Sequence, residues 1–155
     1  DVFVGAERSF KVAEYEIELD GREERHKNSG MIVSTGRGST GWYKNILKQR
    51  LQTGISWLDT WMSPLYERVA DRLYTFDPEA DELRSVEREP MQSAGDSLTQ
   101  CRLQEGDELT VTSKMNVEGV ITFDGDEEDR MYDFPRGESV SFKIADRPLS
   151  VIRRT

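Results

Sequence analysis

At 155 residues the chain has room for one domain of ordinary size, and folding at that length buries about 70% of the extended chain's surface. With 35% hydrophobic and 33% charged residues, and apolar stretches broken by Gly-containing turns, it is globular rather than disordered, and no run approaches the roughly 20 apolar residues of a membrane helix. The net charge of -9, from 30 acids against 21 bases spread along the whole length, argues against a nucleic-acid partner, because phosphate-tracking proteins present a basic stripe.

The N-terminal DVFVGAERSF has neither a basic region nor a small-residue cleavage site, so no address is expected there. One cysteine, Cys101, and one histidine, His26, leave no intrachain disulfide, no Cys-based metal cluster and no dyad built on a second histidine. No metal site is expected. His26 reads as a surface strand residue and Cys101 as core.

In chain order, Ala13, Tyr15, Ile17 and Leu19 alternate with Glu14, Glu16, Glu18 and Asp20, the period of a half-buried strand. Asp20-Gly21 then reads as a hairpin turn, with Arg22 to Asn28 as the return strand and a buried strand at 31–35. Trp42, Tyr43, Ile46, Leu47 and Leu51 recur at three and four, which predicts a helix from near Ser39 to before Gly54. A second helix is predicted from Ser63 as N-cap and Pro64 at the first helical position, with Leu65, Val69, Leu73 and Tyr66 as its apolar stripe.

From Leu83 onward the pattern is sheet again: LRSVERE, SLTQCRL, ELTVTSK, GVITFD, SVSFKIA and LSVIRR, separated by the turn signals QEGD, DGDEED, PRGE and DRP. The expected fold is mainly β, an antiparallel sandwich-like domain with two helices inserted after the fourth strand.

The segment SGMIVSTGRGSTGWYKNI, residues 29–46, is a strand, a loop with Gly36, Gly38 and Gly41, and a helix start. Glycine-freed amides and a helix N-terminus suit an anion, so Gly36 and Gly38 are candidates for a phosphate-binding loop. The same loop also reads as nothing more than a tight strand-to-helix connection. Gly36, Gly38 and Gly41 satisfy G-x-G-x-x-G, yet residues 52–75 supply no second parallel strand, so the dinucleotide fingerprint lacks its context. A Walker loop fails because Trp42 and Tyr43 stand where Lys and Ser/Thr belong, and Arg37 removes the first glycine of a nucleophile elbow at Ser39.

Those residues carry a resemblance. Ser29-Gly30, MIVSTGRGST and Gly41-Trp42 resemble the C-terminal domain of NAD kinases, where Asp-Gly, a short apolar strand and S-T-P-T-G-S-T-A-Y open a helix. Asp1-Val2-Phe3-Val4-Gly5 is similar to the end of the family's Asn-Asp/Glu motif, 113–125 to its late strand pair, and SVSFKIADRPLSVIRR to its closing hairpin. Ser29 in place of Asp, Trp42 at the helix start, and the stretch from Asp77-Pro78-Glu79 to Arg88-Glu89-Pro90 resemble the mitochondrial-type branch and bacterial relatives often labelled sugar kinases.

The resemblance implies a two-domain enzyme that uses ATP and Mg²⁺ to phosphorylate the adenosine ribose 2′-hydroxyl of NAD. Its N-terminal domain carries a Gly-Gly-Asp-Gly loop that this chain lacks, so residues 1–155 are expected to be the NAD-binding C-terminal domain, inactive alone. The implied NAD contacts are Asp1, Ser29, Arg37, Thr40, Gly41, Trp42 and Asn45. Asp1 would accept from ribose hydroxyls, or be a frayed end. Thr40 and the Gly41 backbone would meet an adenine edge, Trp42 would stack or serve as core, and Arg37 would meet phosphate or be a solvated loop tip. Asp124-Gly125 matches a family position near the site but reads first as a turn. Asp124, Asp126 and Glu128 lack the remaining ligands of a calcium loop. The resemblance further implies a homo-oligomer in a bacterial cytoplasm, or a mitochondrial matrix if eukaryotic. The rival readings are a non-catalytic dinucleotide-binding or oligomerisation module, and a related kinase with a sugar or lipid acceptor.

Overall fold

The computed structural model describes residues 1–8, 10–55, 68–69, 71–91, 97–124 and 131–146. Within them the strands are β1 (Val2–Ala6), β2 (Ala13–Leu19), β3 (Arg22–Asn28), β4 (Met31–Thr35), β5 (Leu83–Glu87), β6 (Gln100–Leu103), β7 (Leu109–Ser113), β8 (Gly119–Phe123), β9 (Met131–Asp133) and β10 (Ser139–Phe142). A 3-10 turn, Gly38–Thr40, leads into helix α1 (Trp42–Ile55), and residues 68–69 and 71–74 are also helical. No described helix is long and apolar enough to cross a membrane.

Alternation builds the first hairpin as expected: Ala13, Tyr15, Ile17 and Leu19 are buried, and the β2–β3 register pairs Leu19 with Arg22. That leaves only Asp20 and Gly21 in the turn, at φ 53° and 73°, the left-handed pair such a turn requires. All pairings are antiparallel, in a six-stranded sheet ordered β6-β5-β4-β1-β8-β9 and a four-stranded sheet ordered β10-β7-β2-β3. The mainly-β, two-sheet antiparallel fold is therefore the one observed.

Between the sheets lie Val4, Tyr15, Ile17, Met31, Leu103, Leu109, Val111 and Phe134. On the outer face of the larger sheet, Tyr43, Ile46 and Leu47 of α1 cover Ile32 and Val86. Each such apolar side chain contributes about 1.5–3 kcal/mol by leaving water, which seats the start of α1 against β4 and β5.

Three expectations need correction. Val69 and Leu73 are exposed, at 43% and 61%, so they do not form a buried stripe. Here Asp71 bridges to Lys44 and Lys48 of α1 at 3.1 and 3.3 Å, and the apolar side chains turned to the outer core are Tyr74 and Phe76. β9 was not anticipated, because its three residues are all exposed and show no alternation. His26 is not a surface residue but 3% exposed between the sheets. The helix start at Ser63 and Pro64, with Leu65 and Tyr66, and the strand LSVIRR lie outside the described residues.

His26 is buried because it has charged partners. Its Nδ1 lies 2.8 Å from Glu87 Oε1 and its Nε2 3.0 Å from Glu24 Oε2, so each ring nitrogen meets a carboxylate. Tyr15 donates to Glu87 at 3.2 Å, Asn28 donates to Tyr15, and Asn28 Oδ1 accepts from Gly30 N at 2.7 Å. This network joins β2 and β3 of the small sheet to β5 of the large one. Burial by itself raises the pKa of Glu24, but donors from Ser97 Oγ, Leu98 N, Ser97 N and His26 outweigh it and lower it from 4.5 to about 2.

A carboxyl whose folded pKa is depressed stabilises fully above its unfolded pKa, and loses that contribution as pH falls through the folded value. Glu24→Gln should therefore cost about 1.5–3 kcal/mol at pH 7. In urea titrations the gap to the wild type should narrow between pH 4.5 and about 2. A gap that stays constant across that window contradicts the assignment.

Candidate functional site

β1 sits between β4 and β8, pairing Val2 with Val33 on one side and with Phe123 on the other. Its leading residue, Asp1, is consequently held from both flanks at the sheet's end. Asp124 N donates to Asp1 O at 2.8 Å, and Asp1 N lies 2.9 Å from Asp124 Oδ1. Asp124 takes φ 56°, so it is both a turn residue and a wall of the site.

Beside this end the glycine loop folds under local constraints. Gly36 packs so tightly against residues 77–78 that an added Cβ would overlap the Asp77 carbonyl oxygen and lie 2.9 Å from Pro78 Cα. Buried Ser39 donates to Gly36 O at 2.7 Å and accepts from Phe76 N at 3.3 Å, tying the loop to the same segment. At Gly38 an added Cβ would overlap Asp1 Oδ1 and lie 2.9 Å from Ser34 Oγ, and at Gly41 it would lie 3.4 Å from Asp1 Oδ2. The Asp1 carboxylate thus lies on the glycine face of the loop.

An open pocket of about 430 Å³ results, lined by Asp1, Phe3, Arg37, Gly38, Thr40, Gly41, Trp42 and Asp124. Trp42 is 46% exposed and tilted against Phe3 with centroids 5.9 Å apart, so it is a pocket wall and not core. The Arg88 guanidinium lies over the Trp42 ring at 5.7 Å. Asp1 Oδ1 is buried without a hydrogen-bond partner. A buried acceptor left unpaired costs about 1–3 kcal/mol.

Two of the loop amides are engaged within the loop. Gly38 N donates to Thr35 Oγ1 at 3.3 Å and Gly41 N to Gly38 O at 2.8 Å, while the nearest charged group is a carboxylate. What the loop offers Asp1 is space for close approach, and the pocket at this point suits a hydroxyl or amine donor better than a phosphate.

Of the residues singled out in the sequence, Asp1, Arg37, Gly38, Thr40, Gly41 and Trp42 converge on this pocket. Gly36 is buried under residues 77–78. Ser29 is not on the pocket wall: its hydroxyl donates to Glu89 Oε2 at 2.6 Å. Asn45 is exposed one turn into α1, where its amide donates to Gly41 O at 3.3 Å. Phe3 escaped sequence reasoning. Its signal was alternation, which puts it opposite Ile32 on the outer face. Cys101 is buried as expected, and burial pushes its thiol pKa up, which leaves it a poor nucleophile.

A larger cleft of about 910 Å³ lies at the far end of β1, about 20 Å from Asp1 by strand length. Glu7, Glu118 and Asp133 there offset Arg8, Lys11 and Arg136, and none of the buried unpartnered polar atoms lines it. The smaller pocket, which sets a carboxylate beside an exposed indole, is the better chemical site.

No family model matches the chain, and no curated protein matches it. Solved structures do. The chain superimposes on an NAD kinase from Archaeoglobus fulgidus in complex with ATP at a TM-score of 0.60 and 16% identity, covering 94% of this chain and 44% of that one. It superimposes on yeast NADH kinase complexed with NADH at a TM-score of 0.58 and 15% identity, covering 90% and 32%. The chain therefore has an NAD kinase-like fold and spans less than half the length of either protein.

The two glycines should respond differently to a methyl group. At Gly36 the added Cβ meets backbone, which cannot yield, whereas at Gly38 it meets the movable Asp1 side chain. Gly36→Ala should lower the melting temperature by the equivalent of about 1–3 kcal/mol, and Gly38→Ala by clearly less. Equal melting curves for the two variants contradict this placement of the loop.

Proposed function

We propose that residues 1–155 are the NAD-binding C-terminal domain of a two-domain NAD kinase, of the mitochondrial-type branch and its bacterial relatives. In the full-length protein it holds NAD while a phosphoryl group passes from ATP to the adenosine ribose 2′-hydroxyl, giving NADP. The observation that carries this reading is that Asp1, a carboxylate set against the glycine loop, lines one pocket together with the exposed Trp42 ring. The fold it shares with two nucleotide-bound NAD(H) kinases supports the choice of ligand.

In this reading Asp1 accepts a hydrogen bond from a ribose hydroxyl, and Thr40 and Arg37 flank the ligand at the loop tip. Trp42 supplies an aromatic face for the adenine, with Phe3 holding it at an angle. Phosphoryl transfer requires mainly positioning and charge stabilisation, so this chain's task is to fix and orient the acceptor. The N-terminal domain, with its Gly-Gly-Asp-Gly loop, supplies the proposed base and the phosphate cradle. Mg²⁺ would enter with ATP; among the described residues no three His, Cys, Asp or Glu side chains converge to hold an ion.

Tryptophan fluorescence of the full-length protein, titrated with NAD, ATP and simple sugars, tests the proposal. NAD should saturate the signal, and Asp1→Asn should weaken NAD binding about tenfold by replacing a charged acceptor with a neutral amide. The present chain alone should transfer no phosphoryl group. Saturation by a sugar without a response to NAD would move the acceptor to another class.

A further inference from the structure

We infer that Arg88, which lies over the Trp42 ring beside the residues that line this pocket, is an additional ligand-binding residue and takes the pyrophosphate of the dinucleotide. The inference rests on the reading of the pocket as an NAD site, and it assigns which part of the ligand faces which wall.

The placement of Arg88 follows from strand alternation. Val86, Ile32 and Phe3 stand side by side on the outer face of the large sheet. Two residues beyond Val86, Arg88 returns to that face, and its backbone is fixed at both ends. Arg88 N donates to Gly30 O at 2.8 Å, and its carbonyl accepts from Ser29 N at 2.9 Å. Gly30, at φ 103°, carries no Cβ, and one placed there would overlap the Phe3 ring. The missing side chain lets the Phe3 ring pack against position 30, and the Arg88 guanidinium lies 5.7 Å from the centre of the Trp42 ring.

Its charge is uncommitted within the fold. Among the described residues neither Arg88 nor Arg37 has a carboxylate within 4.0 Å, although the chain carries 30 acids. The adjacent acid, Glu89, accepts from Ser29 Oγ instead. An arginine with a fixed backbone, resting on an aromatic face, is preorganised for a bidentate oxyanion such as a phosphate.

The β1–β8 end of the pocket is acidic. Asp1 and Asp124 repel phosphate and accept from hydroxyls, and the Gly38 and Gly41 amides are already donated within the loop. The pocket therefore has a polarity. The sugar hydroxyls belong at the β1–β8 end, the base at Trp42, and the phosphates on the arginine side.

Calorimetric titration of the full-length protein with NAD and with adenosine, which lacks the phosphates, tests this. Arg88→Ala and Arg88→Gln should each weaken NAD binding about tenfold and leave adenosine binding within about twofold of the wild type. Unchanged NAD affinity in both variants overturns the inference, as does a parallel loss for adenosine, which would mean that Arg88 acts only through the indole. Full NAD affinity in Arg88→Gln with a loss in Arg88→Ala would reveal packing and not charge, and overturns it too. If the wild type binds neither compound, the NAD-site reading itself fails.

Discussion

The site depends on how closely the leading end of β1 approaches the glycine loop. Asp1 is fixed because β1 is a central strand with β4 and β8 on either side, and Asp124 closes over it from the end of β8. The loop must then make room for the carboxylate. Gly38 does so by lacking a Cβ, and Gly36 lets the loop sink against residues 77–78, where Ser39 fastens it. Glycines that a motif search reads as amide donors are here used mainly for the absence of a side chain.

The rest of the fold supports that approach from two sides. On the outer face, α1 is seated by Tyr43, Ile46 and Leu47, which brings Trp42 to the pocket rim. On the inner face, the carboxylates of Glu24 and Glu87 hold His26, and Asn28 continues the chain of hydrogen bonds to Gly30 N. Gly30 in turn lies under Phe3, the ring that props Trp42. Glu87 Oε2 and Arg50 Nε remain buried without partners, so the network is tight but not fully satisfied. Arg50 also donates to Glu87 O at 2.6 Å, which binds α1 to the end of β5 just before Arg88 leaves it.

Much of this was legible in the sequence where the physics is local. The β2–β3 hairpin follows from period-two burial plus Asp20-Gly21, and α1 from apolar residues at three and four. The cluster from Arg37 to Trp42 was found because it is contiguous in the chain. What escaped depends on distant pairing. Asp124, which reads first as a turn, reaches the pocket by a hydrogen bond across 123 residues, and Arg88 is set beside Gly30 by an antiparallel ladder. His26 was misplaced because Glu24, His26 and Asn28 form a polar inward face with no apolar alternation to mark it. Their burial is made tolerable only by Glu87 from the other sheet.

The central claim is that the Asp1 carboxylate, beside the glycine loop at the mouth of α1, receives the sugar of a dinucleotide. A crystal structure of the full-length protein with NAD bound tests it most directly. The account predicts a ribose hydroxyl within about 2.5–3.2 Å of an Asp1 carboxylate oxygen, with the adenine against Trp42. A dinucleotide bound elsewhere, with this pocket empty, would contradict it.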